Sequence, residues 1–453
     1  MSNDSIFSSR PGLSADAEKR DVVVNAFKHA WSAYEHDAMG ADEYLPVSHS
    51  GANFSGYGGI GYTIVEAIDT MILMGLDSEY AEAKNWIKEH LSFDRNSYFS
   101  TFETTIRVLS GLLSAYYLTG DELYKQHAAD IGDRILPAFD TASGLPESSV
   151  NLGAGTAMHL KKVMEVMNKA RSLDGLAPIA ISYVLFFNTV PLLMSGGNSY
   201  YEYLLKQYIQ TNRTEPVYLQ MYSDAMRGVH DLIYKTPRDH LTYVAELLPP
   251  ELSGLGKFSG SATKARAPWM LPGRTVSVPP RMEELTAVGK CNWETGVALL
   301  ETFMETHKTA TGLSPESVNF LTTKDPPGKR DWYIKNASPK SPSYNARYML
   351  RPKISESVFL AWRLTGDIRY RKYAWEIFSA IELHCLAEGR YATGADVDNL
   401  PVRNVDKQET FFLSETLKYL FLTFAEENVL NLSEMVFNAK AHPLPIFNPS
   451  ITK

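Results

Sequence analysis

The chain has 453 residues, of which 44% are hydrophobic and 11% aromatic, the composition of a folded globular protein rather than a disordered one. Its net charge of -8 and pI near 5.8 argue against nucleic acid as the main partner, because nucleic acid requires a basic face. Cys291 and Cys385 are too few for a disulfide framework or a zinc cluster. Two buried thiols are favoured over one bridge between them.

The N-terminal stretch, residues 1–12, lacks the apolar core of a signal peptide, so we expect a cytoplasmic location unless a leader has been removed. A nearly uncharged run over residues 176–194 is about long enough to span a bilayer. Its two prolines and its β-branched and aromatic content favour a buried β-hairpin instead, so no membrane partner is expected.

Apolar periodicity predicts a largely helical chain. Gly75 is expected to end the second helix, and Pro137 the run of helices that follows it. Two long loops, near residues 250–283 and 325–351, and a C-terminal hairpin near 436–446 complete the prediction. The predicted helices cover residues 15–38, 62–74, 77–91, 101–118, 121–136, 198–211, 215–235, 283–308, 353–365, 367–386 and 409–425.

Internal repetition is the strongest organisational feature. Residues 114–121 match residues 360–367, and both segments end in Leu-Thr-Gly-Asp, with similar residues at the same spacing beyond. Helical hairpins of this kind bury their apolar faces only against neighbouring hairpins. Copies at both ends of the chain favour a closed ring, although convergent turn chemistry is the alternative. We expect one domain over residues 1–453.

Glutamates occupy corresponding positions of the repeat, at or beside the ends of predicted helices and next to apolar residues. Taken singly, each is typical of a helix cap or an ion-pair partner. Four of them on equivalent positions predict an acidic cavity on the axis of the ring. No phosphate-binding glycine loop, HExxH motif or GxSxG motif is present. The four are Glu103, Glu316, Glu356 and Glu415.

Several stretches resemble glycoside hydrolase family 47, the class I α-1,2-mannosidases that trim N-glycans. The resemblance implies an all-α fold, an (α/α)7 barrel of helical hairpins plugged by a C-terminal β-hairpin. It also implies inverting hydrolysis by paired carboxylates around a calcium ion deep in the barrel. The matching stretches, which follow the family's order along nearly the whole chain, are residues 102–107, 136–139, 199–206, 311–316, 350–352, 411–420, 436–438 and 441–445.

The chain departs from the family pattern where the chemistry takes place. By the match, Glu103 keeps the general-acid position, whereas Lys353 stands where the family has its proposed base. A helical segment that carries a further active-site glutamate is missing between residues 151 and 174, and the family's disulfide cysteines are absent. The other replacements are Asn198 for an aspartate, Ala439 for a calcium-ligating threonine, Lys440 for a glutamate and Arg266 for a histidine.

These replacements weaken calcium-dependent hydrolysis. Inverting hydrolysis needs one carboxylic acid and one carboxylate that activates water. A lysine among glutamates has its ammonium form stabilised, so Lys353 should be a poor base. Without the threonine hydroxyl, calcium loses an oxygen ligand. We therefore expect no cofactor, with the ammoniums of Lys353 and Lys440 occupying the space of the cation and neutralising the glutamates.

Three functions remain open at this point. The preferred one is a repurposed cytoplasmic enzyme that promotes cyclisation, isomerisation or dehydration of an apolar metabolite, with Glu103, Lys353 and Arg107 as catalytic groups. The second is a non-hydrolysing glycan-binding relative, and the third a residual α-1,2-mannosidase with another carboxylate as base. A small molecule or a glycan is the expected ligand of the barrel. The expected substrate-binding residues are Glu316, Glu356, Glu415, Asn198 and Arg266.

Overall fold

The computed structural model describes residues 13–141, 146–154, 198–245, 281–326, 328–335 and 343–449. The expectations for Arg266, for the run 176–194 and for nearly all of the loop at 250–283 lie outside these residues. The segment between residues 151 and 174, where the resemblance implies that a helical segment of the family is missing, lies almost entirely outside them as well.

Helices make up most of the described chain, and their bounds agree with the sequence prediction to within a few residues at most ends. Two of them, α4 and α11, contain a π-helical stretch. The helices are α1 (Ala17–Ala38), α2 (Tyr62–Met74), α3 (Asp77–His90), α4 (Thr101–Glu103, then π-helical Thr104–Leu109, then Ser110–Thr119), α5 (Glu122–Ile135), α6 (Asn198–Gln210), α7 (Pro216–His230), α8 (Ala287–Glu305), α9 (Lys353–Thr365), α10 (Ile368–His384) and α11 (π-helical Phe412–Thr416, then Leu417–Phe424).

Inner and outer helices alternate along the chain. The first ten residues of α2 are all buried, whereas α3 is polar and buries only Ala83 and Ile87. A helix that is apolar on all sides belongs inside a structure, and a polar one with a narrow apolar stripe belongs on the surface. α2 packs against α3, α4 against α5, α6 against α7 and α9 against α10, so consecutive helices form hairpins.

The ring closes through contact between its first and last helices. α1 packs against α11, and the backbone N–H of Asp16 donates to the carbonyl of Phe424 at 2.8 Å. α11 also packs against α2 and α9, which places it among the inner helices. The predicted closed ring of hairpins is therefore confirmed, and the fold is an α/α barrel.

The repeated Leu-Thr-Gly-Asp segments form the same turn. Gly120 and Gly366 end their helices with φ of +71° and +68°, a conformation that glycine adopts at little cost. Asp121 and Asp367 then cap the next helices, each accepting from the backbone N–H two residues later, at 3.0 and 2.9 Å. The matching spacing in the sequence thus reflects matching geometry.

Short antiparallel strand pairs connect the helices at several points. Ile233–Lys235 is a strand, so the helix predicted over 215–235 was too long, and Trp332–Ile334 is a strand inside the loop predicted at 325–351. Both are β-branched and aromatic tripeptides, which suit a pleated surface. The pairs are β1–β2 (Glu43–Leu45, Ser50–Ala52), β3–β4 (Tyr98–Ser100, Ser149–Asn151), β5–β6 (Ile233–Lys235, Thr242–Val244), β7–β8 (Val318–Phe320, Trp332–Ile334), β9–β10 (Leu386–Ala387, Arg390–Tyr391), β11–β12 (Thr393–Gly394, Asn404–Val405) and β13–β14 (Met435–Phe437, Pro443–Pro445).

The last pair, β13–β14, is the predicted plug. We call residues 435–445 the plug hairpin and its connecting residues 438–442 the plug turn. Phe437 packs against Phe359 of α9 and Tyr419 of α11, with ring centroids 5.9 and 5.3 Å apart. The plug hairpin therefore inserts among the inner helices, as the resemblance implied.

The two cysteines are both free thiols. Cys385 is buried, as expected, but Cys291 is exposed because it lies on the solvent side of α8, so the prediction of two buried thiols was wrong for that residue. In the part of the chain that the structure describes, no helix combines the length and the apolarity needed to cross a membrane.

Candidate active site

Two π-helical stretches bring the candidate catalytic carboxylates to the barrel interior. Glu103 immediately precedes the stretch Thr104–Leu109, and Glu415 lies within the stretch Phe412–Thr416. π-helical turns are rare and occur frequently at functional sites, because the extra residue redirects side chains that a regular helix would point elsewhere. The carboxylates of Glu103 and Glu415 are close enough to interact electrostatically.

Arg107 fixes the position of Glu103. Its Nε donates to Oε2 of Glu103, and its Nη1 donates to Oε1 of Glu66 at 3.1 Å. Glu66 is fully buried and also accepts from the hydroxyls of Thr410 and Ser414, at 3.1 Å each. The guanidinium is therefore anchored from behind, so it holds Glu103 in one orientation.

Glu103 is ionised at neutral pH. Burial raises the pKa of its carboxyl, but the positive charges of Arg107 and Lys440 outweigh burial and hold the pKa below the ordinary value. The side chain is still 39% exposed, whereas that of Arg107 is 12% exposed. Glu103 is therefore the member of this pair that a ligand can reach.

Lys353 bridges two buried carboxylates and the plug turn. Its Nζ donates to the carbonyl of Ala439 at 2.9 Å and lies 3.5 Å from Oε2 of Glu356 and 3.7 Å from Oε2 of Glu415. Both carboxylates are fully buried, and Lys353 is 39% exposed. One ammonium thus joins α9, α11 and the plug turn.

Two further lysines continue this arrangement. Nζ of Lys440 lies 3.5 Å from Oε1 of Glu415, and burial lowers the pKa of this lysine in spite of the nearby carboxylate. Nζ of Lys206 pairs with Glu202 and lies 3.7 Å from Oε1 of Glu356. Each buried carboxylate is therefore placed between two ammoniums.

Acidic and basic groups alternate across the whole site. Such alternation keeps the buried charges compensated, which they require in a medium of low dielectric constant. The order of the series is Glu202, Lys206, Glu356, Lys353, Glu415, Lys440, Glu103, Arg107 and Glu66.

Glu316 pairs with an arginine that is not part of this series. Arg351 donates to both of its carboxylate oxygens, at 3.0 and 2.8 Å, and the guanidinium lies 5.2 Å from the ring centroid of Phe411. Its ion-pair partner is thus an arginine rather than Lys353 or Lys440. Of the four predicted glutamates, Glu103, Glu356 and Glu415 interact with the lysines of this series, whereas Glu316 pairs with Arg351, which lies over the same Phe411 ring as Lys440. Asn198 is the first residue of α6, and its role stays a prediction.

A second buried charge cluster was not assigned from the sequence. Nζ of Lys418 lies 2.7 Å from Asp69, and Nδ1 of His442 donates to the other oxygen of that carboxylate at 2.8 Å. All three side chains are fully buried. The indication in the sequence was the presence of charged residues within largely apolar helices, Asp69 beside Glu66 in α2 and Lys418 beside Glu415 in α11.

Comparison with known proteins identifies the family. The sequence model described as glycosyl hydrolase family 47 matches residues 26–161 and 156–446. The chain belongs to glycosyl hydrolase family 47. The resemblance found in the sequence motifs is thereby confirmed.

Curated relatives of this family 47 chain are named as α-1,2-mannosidases. Mannosyl-oligosaccharide 1,2-alpha-mannosidase IA of Sus scrofa is 33% identical over 98% of this chain and 70% of its own length. The endoplasmic reticulum mannosyl-oligosaccharide 1,2-alpha-mannosidase of Homo sapiens is 36% identical over 94% of this chain and 64% of its own length. The chain thus spans about two thirds of these relatives.

A solved structure supports the fold. The α-1,2-mannosidase from Trichoderma reesei superposes with a TM-score of 0.80 at 23% identity, covering 96% of this chain and 100% of that one. At this level of identity, the likeness shows that the two chains share the α/α barrel.

Among the described residues, the oxygens beside the plug turn that could hold the calcium ion implied by family 47 already contact ammoniums. Calcium takes about six to eight oxygen ligands. Ala439 offers only its carbonyl, which accepts from the ammonium of Lys353, and Lys353 and Lys440 contact the neighbouring carboxylates. Within the described ranges, no group of three or more His, Cys, Asp or Glu side chains is arranged to hold a metal ion.

Proposed function

We propose that this protein binds α-linked mannose residues of oligosaccharides in its barrel and hydrolyses them slowly, as an α-mannosidase. The observation that carries this proposal is the pairing of Glu103, partly exposed and fixed by Arg107, with the fully buried Glu415 across the site. The curated relatives, which are named as α-1,2-mannosidases, support the same substrate class.

In this proposal, Glu103 donates a proton to the glycosidic oxygen. It is the carboxyl that a sugar can reach, and Arg107 acts as a positioning residue for it. Because its pKa is held below the ordinary value, only a small fraction of Glu103 is protonated at neutral pH. Hydrolysis should therefore be slow at neutral pH and faster as the pH falls.

Glu415 is the proposed base that activates water. The ammoniums of Lys353 and Lys440, 3.7 and 3.5 Å away, stabilise its ionised form. Inversion follows from this pair, since one carboxyl protonates the leaving oxygen while the other activates water.

Lys353 is assigned to binding rather than to proton transfer. An ammonium has three donors, and Lys353 gives one of them to the carbonyl of Ala439. Its partial exposure leaves room for hydrogen bonds to sugar hydroxyls. The catalytic role that the sequence suggests for Lys353 stays a prediction, and the present proposal assigns this residue to binding.

The repurposed enzyme with an apolar substrate has less support. The described site is a dense series of charged side chains, which suits the hydroxyls of a sugar better than an apolar metabolite. The similar proteins are mannosidases and do not point to cyclisation, isomerisation or dehydration.

A second candidate function is glycan binding without hydrolysis. The observation that favours it is the position of Lys353, which stands where the family resemblance places the base and bridges Glu356 and Glu415. In this alternative, Glu316, Glu356 and Glu415 contribute only to recognition of the glycan.

Release of mannose from α-1,2-linked mannobiose and from mannose-rich oligosaccharides tests the proposal. Glu103→Gln should lower kcat by about 10²–10⁴-fold, the usual contribution of general acid catalysis. Glu305→Gln, which changes a surface carboxylate paired with Lys308, is the matched control and should leave kcat unchanged.

Each outcome of these measurements distinguishes between hydrolysis and glycan binding without hydrolysis. Release that depends on Glu103 supports the proposal. Binding of mannobiose in calorimetry without release over acidic and neutral pH overturns hydrolysis and supports the binding alternative. If the protein neither binds these sugars nor releases mannose from them, both candidate functions are overturned.

A further inference from the structure

We infer that the ammonium of Lys353 takes the place of a divalent cation at the plug turn, so that this family 47 chain has a cation covalently built into its site. The inference concerns the proposed active site but does not depend on hydrolysis, because its test measures metal binding rather than sugar release.

Lysines from three different helices each donate to a carbonyl of the plug turn. Lys206 of α6 donates to Asn438 at 3.0 Å, and Lys353 of α9 donates to Ala439 at 2.9 Å. The third, Lys418 of α11, donates to the carbonyl of Ala441 at 2.8 Å. The oxygen-rich side of the plug turn is therefore satisfied by ammoniums that belong to the chain.

The position of Lys353 is that of a bound cation. Its Nζ lies within 3.7 Å of one carbonyl oxygen and two carboxylate oxygens, from Ala439, Glu356 and Glu415. Carbonyl and carboxylate oxygens are the ligands that calcium prefers, so a calcium ion bound by these three oxygens would compete with Nζ for the same space. Both cannot be present, because the space and the sign of the charge are the same.

Neighbouring lysines share the compensation of the buried carboxylates, which explains why the single positive charge of Lys353 is enough to replace a divalent cation. Glu356 is also close to Lys206, and Glu415 is also close to Lys440, so each carboxylate shares two monovalent cations. A divalent ion added to this set would face the three ammoniums of Lys206, Lys353 and Lys440. Removing the ammonium of Lys353 alone would leave two fully buried carboxylates and a carbonyl undercompensated. A calcium ion could then enter.

The test is the response of the melting temperature to calcium in the full chain. Wild type should melt at the same temperature in calcium, in magnesium and in chelator, and it should retain no stoichiometric calcium after dialysis. Lys353→Gln should melt several degrees lower in chelator and recover part of that loss in calcium but not in magnesium. Lys353→Arg, which keeps a cation, should stay indifferent to calcium.

Lys407→Gln is the matched control. Lys407 also bridges two carboxylates, Glu43 at 3.1 Å and Glu409 at 3.3 Å, and its exposure of 36% is close to the 39% of Lys353. Both of these carboxylates lie outside the plug turn. The variant should therefore show no specific response to calcium.

The inference is overturned if wild type binds calcium stoichiometrically, or melts higher in calcium than in magnesium. It is also overturned if Lys353→Gln folds and shows no more response to calcium than Lys407→Gln. Should Lys353→Gln fail to fold, the wild-type measurement decides alone. Failure of mannoside hydrolysis would leave all these outcomes unaffected.

Discussion

The ammonium of Lys418 lies 2.7 Å from the carboxylate of Asp69, and neither side chain is exposed to solvent. The same ammonium donates to the carbonyl of Ala441, and the same carboxylate accepts from His442. Both of those partners belong to the plug turn. The buried pair therefore ties the plug hairpin to the inner helices α2 and α11.

Lys418→Met should destabilise the protein by about 3–5 kcal/mol, because breaking a buried ion pair leaves an uncompensated charge. Urea unfolding followed by circular dichroism measures the change. Lys88→Met removes an exposed ion pair with Glu89 and should change the free energy of unfolding by no more than about 0.5 kcal/mol. Equal effects of the two variants would contradict a stabilising role for the buried pair.

The same cluster predicts a loss of stability in acid. Burial raises the pKa of Asp69, but Lys418 and His442 outweigh burial and hold it below the ordinary value of 3.8. The unfolded chain therefore binds the proton more readily than the folded one. The stabilisation is complete above the ordinary value and disappears as the pH falls through the lower, folded value.

Urea unfolding at a series of acidic pH values measures this effect. Wild type should lose more stability than Asp69→Asn on going from about pH 5 to pH 2, because the variant has no carboxyl to titrate at this position. Parallel pH profiles for the two proteins would contradict the assignment.

Lys440→Gln should move the pH dependence of mannoside hydrolysis toward neutral pH. The positive charge of Lys440 contributes to the low pKa of Glu103, so its removal raises that pKa and the protonated fraction at a given pH. The measurement is kcat against pH. Lys88→Gln, at an exposed position, should leave the profile unchanged. A profile that does not move, or moves toward lower pH, would contradict Glu103 as the proton donor.

Gly120→Ala and Gly366→Ala test the equivalence of the repeated turns. Both glycines have positive φ, so an alanine should cost roughly 1–2 kcal/mol at either position. A Cβ at Gly120 meets no atom within 4 Å, whereas one at Gly366 lies 3.1 Å from a methyl carbon of Leu13. Gly366→Ala should therefore be at least as costly. Urea unfolding of the two variants measures these losses of stability. A variant as stable as wild type would contradict the turn geometry at its position.

The repeat and the family motifs were sufficient to predict the fold. The spacing of Thr-Gly-Asp around Gly120 and Gly366 is local information, since each turn is formed by its own residues. The plug hairpin was also predictable, because its apolar and turn residues are contiguous. The strands Ile233–Lys235 and Trp332–Ile334 were missed because three residues are too few to show a periodicity.

The sequence predicted the charged character of the site but not the contacts between its residues. The presence of Lys353 at the position of the family's proposed base indicated a change of charge, yet its bond to Ala439 joins residues 86 positions apart. Glu66 could not be assigned from the sequence either, because its partners Arg107 and Thr410 are 41 and 344 positions away in the chain. The pairing of Glu316 with Arg351 joins residues 35 positions apart and is likewise a tertiary property.

A crystal structure of the protein grown in calcium tests the central claim most directly, through the electron density between Glu356, Glu415 and Ala439. We predict density continuous with the side chain of Lys353, with Nζ near 2.9 Å from the carbonyl of Ala439 and no anomalous signal. An anomalous peak there, with oxygen distances of about 2.3–2.6 Å and Lys353 turned away, would contradict the account.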